Sequence, residues 1–255
     1  MSSPNSGPGL GERKKCIVLA LGGAEPVKEH SAPLWEVLES HADVVFVEHA
    51  GELAHYIEMS EQMRVTIHSV ILSDPTVYIN TTDDPVLQYF TREVVDRYVN
   101  GNGTVIMCSL FVKGIQADPH GFETFMKYIS YYDCKYVGNV LDDWRIGTGH
   151  DLLLAHRRTR NSPYVPPRFR MEAAALSSLS MPNARGWPVA SFVSDNPGNF
   201  SVACWDYGTS ALDLSFGRIA YVGDLHCTPE GTQVILALCD HSDQTLGQVS
   251  AIRCA

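Results

Sequence analysis

Gly103-Thr104-Val105-Ile106-Met107-Cys108-Ser109-Leu110-Phe111 is the stretch on which the reading of this chain turns. The four residues Thr104–Met107 follow the turn signal Asn100-Gly101-Asn102-Gly103 and lead directly into a cysteine. A short, unbroken run of this kind is expected of a parallel strand covered on both faces; a strand with one wet face would alternate. The same pattern recurs upstream at residues 16–21, which end on Gly22-Gly23, and at 69–72, which close on Asp74-Pro75. It recurs downstream at 218–222, and a β-branched and aromatic run fills 44–47.

Between these runs lie helical patterns, expected near 33–40, 52–63, 85–100, 122–131 and 228–239. In the third, Val86, Leu87, Phe90, Val94, Val95 and Tyr98 recur at helical spacing behind Pro85. Strands alternating with helices across short Gly, Pro and Asp joints predict a parallel α/β sheet. Strands at 189–193, 201–205 and 211–216 are expected to add antiparallel to it, with Gly217 as the turn before 218–222. Residues 142–187 lack periodicity and carry Pro163, Pro166 and Pro167, so they read as an irregular insertion with one short helix at 173–179. The organisation expected is a disordered tail over 1–15, rich in Ser, Pro and Gly, one domain over 16–241, and an extension over 242–255.

Composition narrows the partners. The chain has 255 residues, with 19 Lys and Arg against 29 Asp and Glu, a formal charge of −10. That balance repels polyanions and argues against nucleic acid or an anionic membrane as the main partner. One local exception is Arg157, Arg158, Arg160, Arg168 and Arg170, read as a solvated loop or as a lip that attracts an anionic small molecule. No apolar run approaches the length that spans a bilayer. The seven cysteines form no C-x-x-C pair, and with no signal-peptide core they read as reduced thiols of a cytoplasmic protein. The sequons at Asn80, Asn102 and Asn199 are read as chance matches on that basis.

Ligands of an open parallel sheet bind beyond the carboxyl ends of the strands, at the topological switch point. Three joints qualify: Gly22-Gly23-Ala24-Glu25, Asp74-Pro75 and Cys108-Ser109. At a strand-to-helix turn Cys108 would either lie as a buried structural thiol or stand near helix N–H groups that stabilise a thiolate. The glycines of a nucleophile elbow are absent around it. A thiol nucleophile needs a base and the base an orienting group. Candidates are His226 with Glu230 or Asp224, in Gly223-Asp224-Leu225-His226-Cys227-Thr228-Pro229-Glu230, and Glu25 if strands one and four are neighbours. Gly23, Asp74, Ser109 and Asp224 are the expected substrate contacts. The paired histidines, His49 with His55 and His150 with His156, have a spacing that does not share one helix face, so no metal is expected. Neither a complete G-x-G-x-x-G nor a P-loop is present, so no nucleotide cofactor is expected.

These residues together resemble the class I glutamine amidotransferase-like superfamily, which includes PfpI-like and ThuA-like groups, and uncharacterised fungal members of it most closely. The resemblance rests on the opening strand followed by LGGAEPVKE, on GTVIMCSLF, and on GRIAYVGD followed by HCTPE and a helix. It implies a flavodoxin-like three-layer sandwich over about residues 15–240. In the amidotransferases the cysteine after strand four is the nucleophile and a late His-Pro-Glu supplies its partners; Cys108, His226 and Glu230 occupy the matching places. Cys227 and Thr228 separate His226 from Pro229-Glu230, a departure that argues against glutamine hydrolysis. The carboxylate that PfpI-like proteins place after strand one corresponds to Glu25, with Glu29 its rival, whereas ThuA-like proteins lack the cysteine mechanism.

Two readings of function follow. One is a cysteine-dependent enzyme acting on a small carbonyl or amide compound, as in fungal small-molecule metabolism. The other keeps the fold and the cleft without covalent catalysis, as a ligand-binding or accessory protein or as a pathway enzyme. The expected partner is a small molecule, and a homodimer is compatible with the resemblance.

Overall fold

The computed structural model describes residues 14–63, 67–79, 94, 97–101, 103–130, 134–145, 168–178, 186–188, 199–207, 217–236 and 238–239. Its strands are β1 (Lys14–Leu19), β2 (Ala42–Val47), β3 (Ile67–Leu72), β4 (Thr104–Met107), β5 (Cys134–Arg145), β6 (Arg168–Ser178), β7 (Gly186–Pro188), β8 (Asn199–Phe200), β9 (Val202–Tyr207) and β10 (Gly217–Val222). Its helices are α1 (Ala24–His30), α2 (Ala32–His41), α3 (Ala50–Met63), α4 (Leu110–Lys113), α5 (Pro119–Ser130) and α6 over 229–239, with 237 outside the described residues.

The main sheet runs β2-β1-β3-β4-β10-β9-β7. From β2 to β10 every pairing is parallel, and β9 and β7 add antiparallel steps at the far edge. The parallel part has the 2-1-3-4-5 order of a flavodoxin-like sheet, with β10 as its fifth strand. Continuous apolar strands are explained by which face each side chain joins. Ile17, Leu19, Val70, Leu72, Val105, Met107, Ile219 and Tyr221 meet α3, α4 and α5 on one side. Cys16, Val18, Ala20, Ile71, Ile106, Cys108, Ala220 and Val222 meet α1, α2 and α6 on the other. The period of two is present, but both of its phases are dry.

The helix expected near 33–40 is α2, and a further helix not expected from the sequence, α1, precedes it and meets it at Ser31. Pro26 and Pro33 each lie in a first turn, where a missing N–H breaks no helical bond. Lys14 and Lys15, assigned to the tail, open β1 and pair with Ala42 and Asp43. Of the expected helix at 85–100, residue 94 and residues 97–99 are described and helical, with Val94 and Val99 buried.

The largest difference is a second, antiparallel sheet, β5-β6-β8. Residues 173–178 of the short helix expected at 173–179 belong to strand β6, and Asp142-Asp143, at the start of the expected irregular insertion, pair with Met171 and Arg170 inside β5 and β6. Met171-Glu172-Ala173-Ala174-Ala175-Leu176 has strong helix propensity, which tertiary pairing overrides. Ala173, Ala174 and Leu176 are buried, and Ala174 donates its N–H to the Gly223 carbonyl at 2.8 Å. The strands expected at 189–193 and 211–216, the stretch 1–13, the extension 242–255, Asn80, Asn102 and Arg157, Arg158 and Arg160 lie outside the described residues. Asn199 opens β8. Among the described residues no helix is long and apolar enough to cross a membrane.

Gly217, expected to form a turn, is the first residue of β10 and pairs with Tyr207. A Cβ there would overlap the Val99 carbonyl, so glycine is required by a close approach of two backbones. Gly217→Ala is therefore expected to cost about 1–3 kcal/mol, the usual range for forcing a methyl into packed structure. A urea titration reads this as a lowered midpoint, and an unchanged midpoint refutes the argument.

Candidate functional site

The carboxyl ends of β1, β3, β4 and β10 converge on one edge of the main sheet. Asp74, buried after β3, fastens two of them: one carboxylate oxygen accepts the Gly22 N–H, and the other accepts the Thr76 N–H at 2.8 Å. Both oxygens thus hold loop backbone, and Asp74 acts as a bracket between the ends of β1 and β3. Gly23 leads into α1 at φ 110°, a backbone region that favours glycine, and donates its N–H to the Ala20 carbonyl.

Cys108 follows β4 but still belongs to its ladder, because its N–H reaches the Leu72 carbonyl at 3.1 Å. Its side chain points into the layer of α1, α2 and α6 and is 1% exposed. The sharp bend comes one residue later. Ser109 has φ 65° and ψ −135°, and α4 begins immediately after it. A non-glycine residue held at positive φ costs of order 1–3 kcal/mol and persists only where its surroundings enforce it. With no flanking glycine to tighten the turn at Cys108, the strand carries on through the cysteine, and the strained position falls on the serine.

The Ser109 hydroxyl hydrogen-bonds to the Ser31 hydroxyl, which also lies 3.1 Å from the Cys227 sulfur. All three side chains are buried, and Cys227 is itself at positive φ, 50°. The cluster ties the α1–α2 joint, the β4–α4 turn and the loop after β10. A basic residue flanks it on each segment: His30 next to Ser31, Lys113 on α4, and His226 next to Cys227. Burial, helped by Lys113 and His226, pushes the His30 imidazole below its ordinary range, and its buried Nε2 has no hydrogen-bond partner among the described residues. Burial pushes the Cys108 thiol well up, and Cys227 and Asp224 add to the effect. Burial also raises the Cys227 thiol, but hydrogen bonds from Ser31 and Ser109 and the charge of Lys113 pull the other way.

The loop after β10 is built by Asp224. This buried carboxylate accepts the His226 N–H at 3.0 Å, and the Thr228 N–H and hydroxyl at 2.7 Å each. Thr228 in turn caps α6 by accepting the Gly231 N–H at 3.1 Å, with Pro229 in the first turn. Thr228-Pro229-Glu230 is thus a helix start, and Glu230 is a half-buried residue of its first turn. The His226 ring is exposed and its Nε2 meets the Glu172 carboxylate of β6 at 3.0 Å. Glu25 is exposed on α1 and pairs with Lys28 at 3.4 Å; Glu29 is exposed on the same helix.

Of the residues singled out from the sequence, Cys108, Ser109 and Asp224 share this edge with Cys227, whereas the Glu25 carboxylate and the His226 ring are turned to Lys28 and Glu172. Ser31, Cys227, His30 and Glu172 were not anticipated. Ser31 was detectable as a cap residue before Ala32-Pro33, the usual start signal of a helix. Among the described residues no three His, Cys, Asp or Glu side chains gather as a metal site would require.

With this geometry in hand, comparison with known proteins is informative at the level of fold. A crystal structure of a ThuA-like protein from Bacteroides uniformis aligns over 92% of this chain and 94% of its own, at 13% identity and a TM-score of 0.50. This chain shares its fold. A ThuA-like protein from Parabacteroides merdae aligns over 91% and 90% at 11% identity and a TM-score of 0.46. No family model matches the chain, and no curated protein does.

Proposed function

We propose that the strand-end site around Ser31, Ser109 and Cys227 takes a small carbonyl or amide compound and holds it by hydrogen bonds, without a thiolate at Cys108. The observation that carries this reading is the displacement of the strained turn onto Ser109 while Cys108 stays in the ladder. A nucleophilic thiol works as a thiolate, and thiolates form in exposed, electropositive surroundings. Cys108 has the opposite environment: its side chain is buried among apolar groups and its thiol is held protonated. Hydroxyl groups, a neutral imidazole at His30 and the ammonium of Lys113 are the complementary set for a polar, uncharged or partly negative small molecule.

The deciding experiment is the pH dependence of alkylation by iodoacetamide, followed at each cysteine by peptide mass spectrometry. Only the thiolate reacts, so a thiol whose value is raised above the ordinary 8.5 or so labels slowly at neutral pH and accelerates only in alkali. Cys108 is expected to behave this way in the folded protein. Rapid labelling at Cys108 near neutral pH would restore the cysteine-dependent enzyme and sink the present reading.

One observation favours a second reading, in which cysteine chemistry passes through Cys227. Its thiol alone among the described cysteines of this edge is met by two hydroxyls and a lysine charge that oppose burial. The same experiment separates the two: labelling at Cys227 that outpaces Cys108 and falls in a Ser31→Ala variant supports it, and equal slow labelling removes it.

A further inference from the structure

A second group of buried thiols lies away from the strand-end site. Cys16 of β1 and Ser69 of β3 are register neighbours, so their side chains stand together on the face covered by α6. The Ser69 hydroxyl donates to the Cys16 sulfur at 3.2 Å and reaches the Cys239 sulfur of α6 at 3.4 Å. A hydrogen bond with the Cys16 thiol, and burial beside it, push the Cys239 thiol well up. Both are reduced, and they are 1% and 6% exposed.

We propose that Cys16 and Cys239 are a disulfide-forming site, closed by a peroxide, that fastens α6 to strand β1 of the main sheet. Two sulfurs that already meet the same hydroxyl are placed to approach bonding distance by side-chain rotation. Cys239, the more exposed, reacts first: its thiolate attacks one peroxide oxygen, giving a sulfenic acid and one water after proton transfer. The Cys16 thiolate then attacks that sulfur, forming the S–S bond and releasing the hydroxyl as a second water. Two thiols lose two electrons and two protons, and one hydrogen peroxide becomes two waters. The hydrogen bond with Cys16, together with burial, keeps Cys239 protonated at rest, so the first step waits on local opening of α6. The bridge spans most of the chain between residues 16 and 239, a long loop whose closure restricts the unfolded state. The redox state of this pair thereby sets how firmly the helix that begins at Thr228 is held.

The test treats the intact chain with hydrogen peroxide under native conditions, then blocks remaining thiols with maleimide in denaturant. Trypsin and a protease that cuts after Glu230 separate Cys227 from Cys239. The expected result is loss of maleimide labelling at Cys16 and Cys239 together, with their cross-linked peptide dominant over every other pairing and lost on reduction. The bridged protein should also unfold several degrees higher. In a Cys16→Ser variant, Cys239 should accumulate as a sulfenic acid trapped by dimedone, which the native chain traps poorly. Retained labelling at both thiols, a bridge from Cys239 to another cysteine, or equal dimedone trapping with and without Cys16 would each overturn the proposal.

Discussion

Asp224→Ala is expected to lower stability by about 3–5 kcal/mol, a large share of the 5–15 kcal/mol that holds a typical domain together. The carboxylate is 3% exposed and receives two backbone N–H groups and the Thr228 hydroxyl. Alanine leaves those donors in a buried place with nothing to accept them, at about 1–3 kcal/mol for each that water fails to reach. Asp224→Asn keeps one oxygen and should lose a fraction of this. The loss should also loosen the start of α6, because Thr228 is both bound by Asp224 and the cap of that helix. Urea titrations of the three chains read the effect as ordered midpoints. A loss under about 1 kcal/mol in the alanine variant would mean that solvent satisfies the loop and that Asp224 is not its keystone.

Phe111→Ala should cost a similar amount, about 3–5 kcal/mol, as is usual for emptying a buried aromatic site. Phe111, the second residue of α4, has no exposure and meets Tyr78 edge-on at 4.9 Å, Phe125 at 5.7 Å and Phe122 at 6.1 Å. Its carbonyl accepts the Tyr78 hydroxyl at 2.6 Å, and its N–H donates to the Ser73 carbonyl at 2.9 Å. These contacts grip the residue two places after Ser109, so they supply the force that keeps the strained turn in place. Phe111→Leu preserves much of the volume and should lose less than about 1.5 kcal/mol. If the two variants denature at the same midpoint, aromatic packing is not what holds this turn.

The strands buried on both faces were legible because their signal is local. The runs at 16–21, 69–72 and 218–222 and Thr104–Met107 are apolar on both faces apart from their first residues Ser69, Arg218 and Thr104, so no partner need be known to recognise them. β6 carried the opposite signal: an alanine-rich stretch that is helical by propensity becomes a strand through bonds to β5 and Gly223, partners distant in sequence. At the site, the cysteine at the end of β4 was legible. The step by which the bend moves to Ser109 was not, since it hinges on a single bond from the Cys108 N–H to Leu72. Ser31 touches Ser109 across 78 positions and Cys227 across 196, and no spacing rule connects residues so far apart.

The place of β10 in the main sheet bears on how the chain is made. It lies between β4 and β9, late in sequence yet interior in space. A nascent chain emerging from the ribosome displays the open edge of β4 until residues 217–222 arrive to cover it. An apolar, unpaired strand edge invites pairing with other chains. Fragments that stop short of residue 217 should therefore associate and precipitate, which makes synthesis through β10 the point at which the open edge is covered.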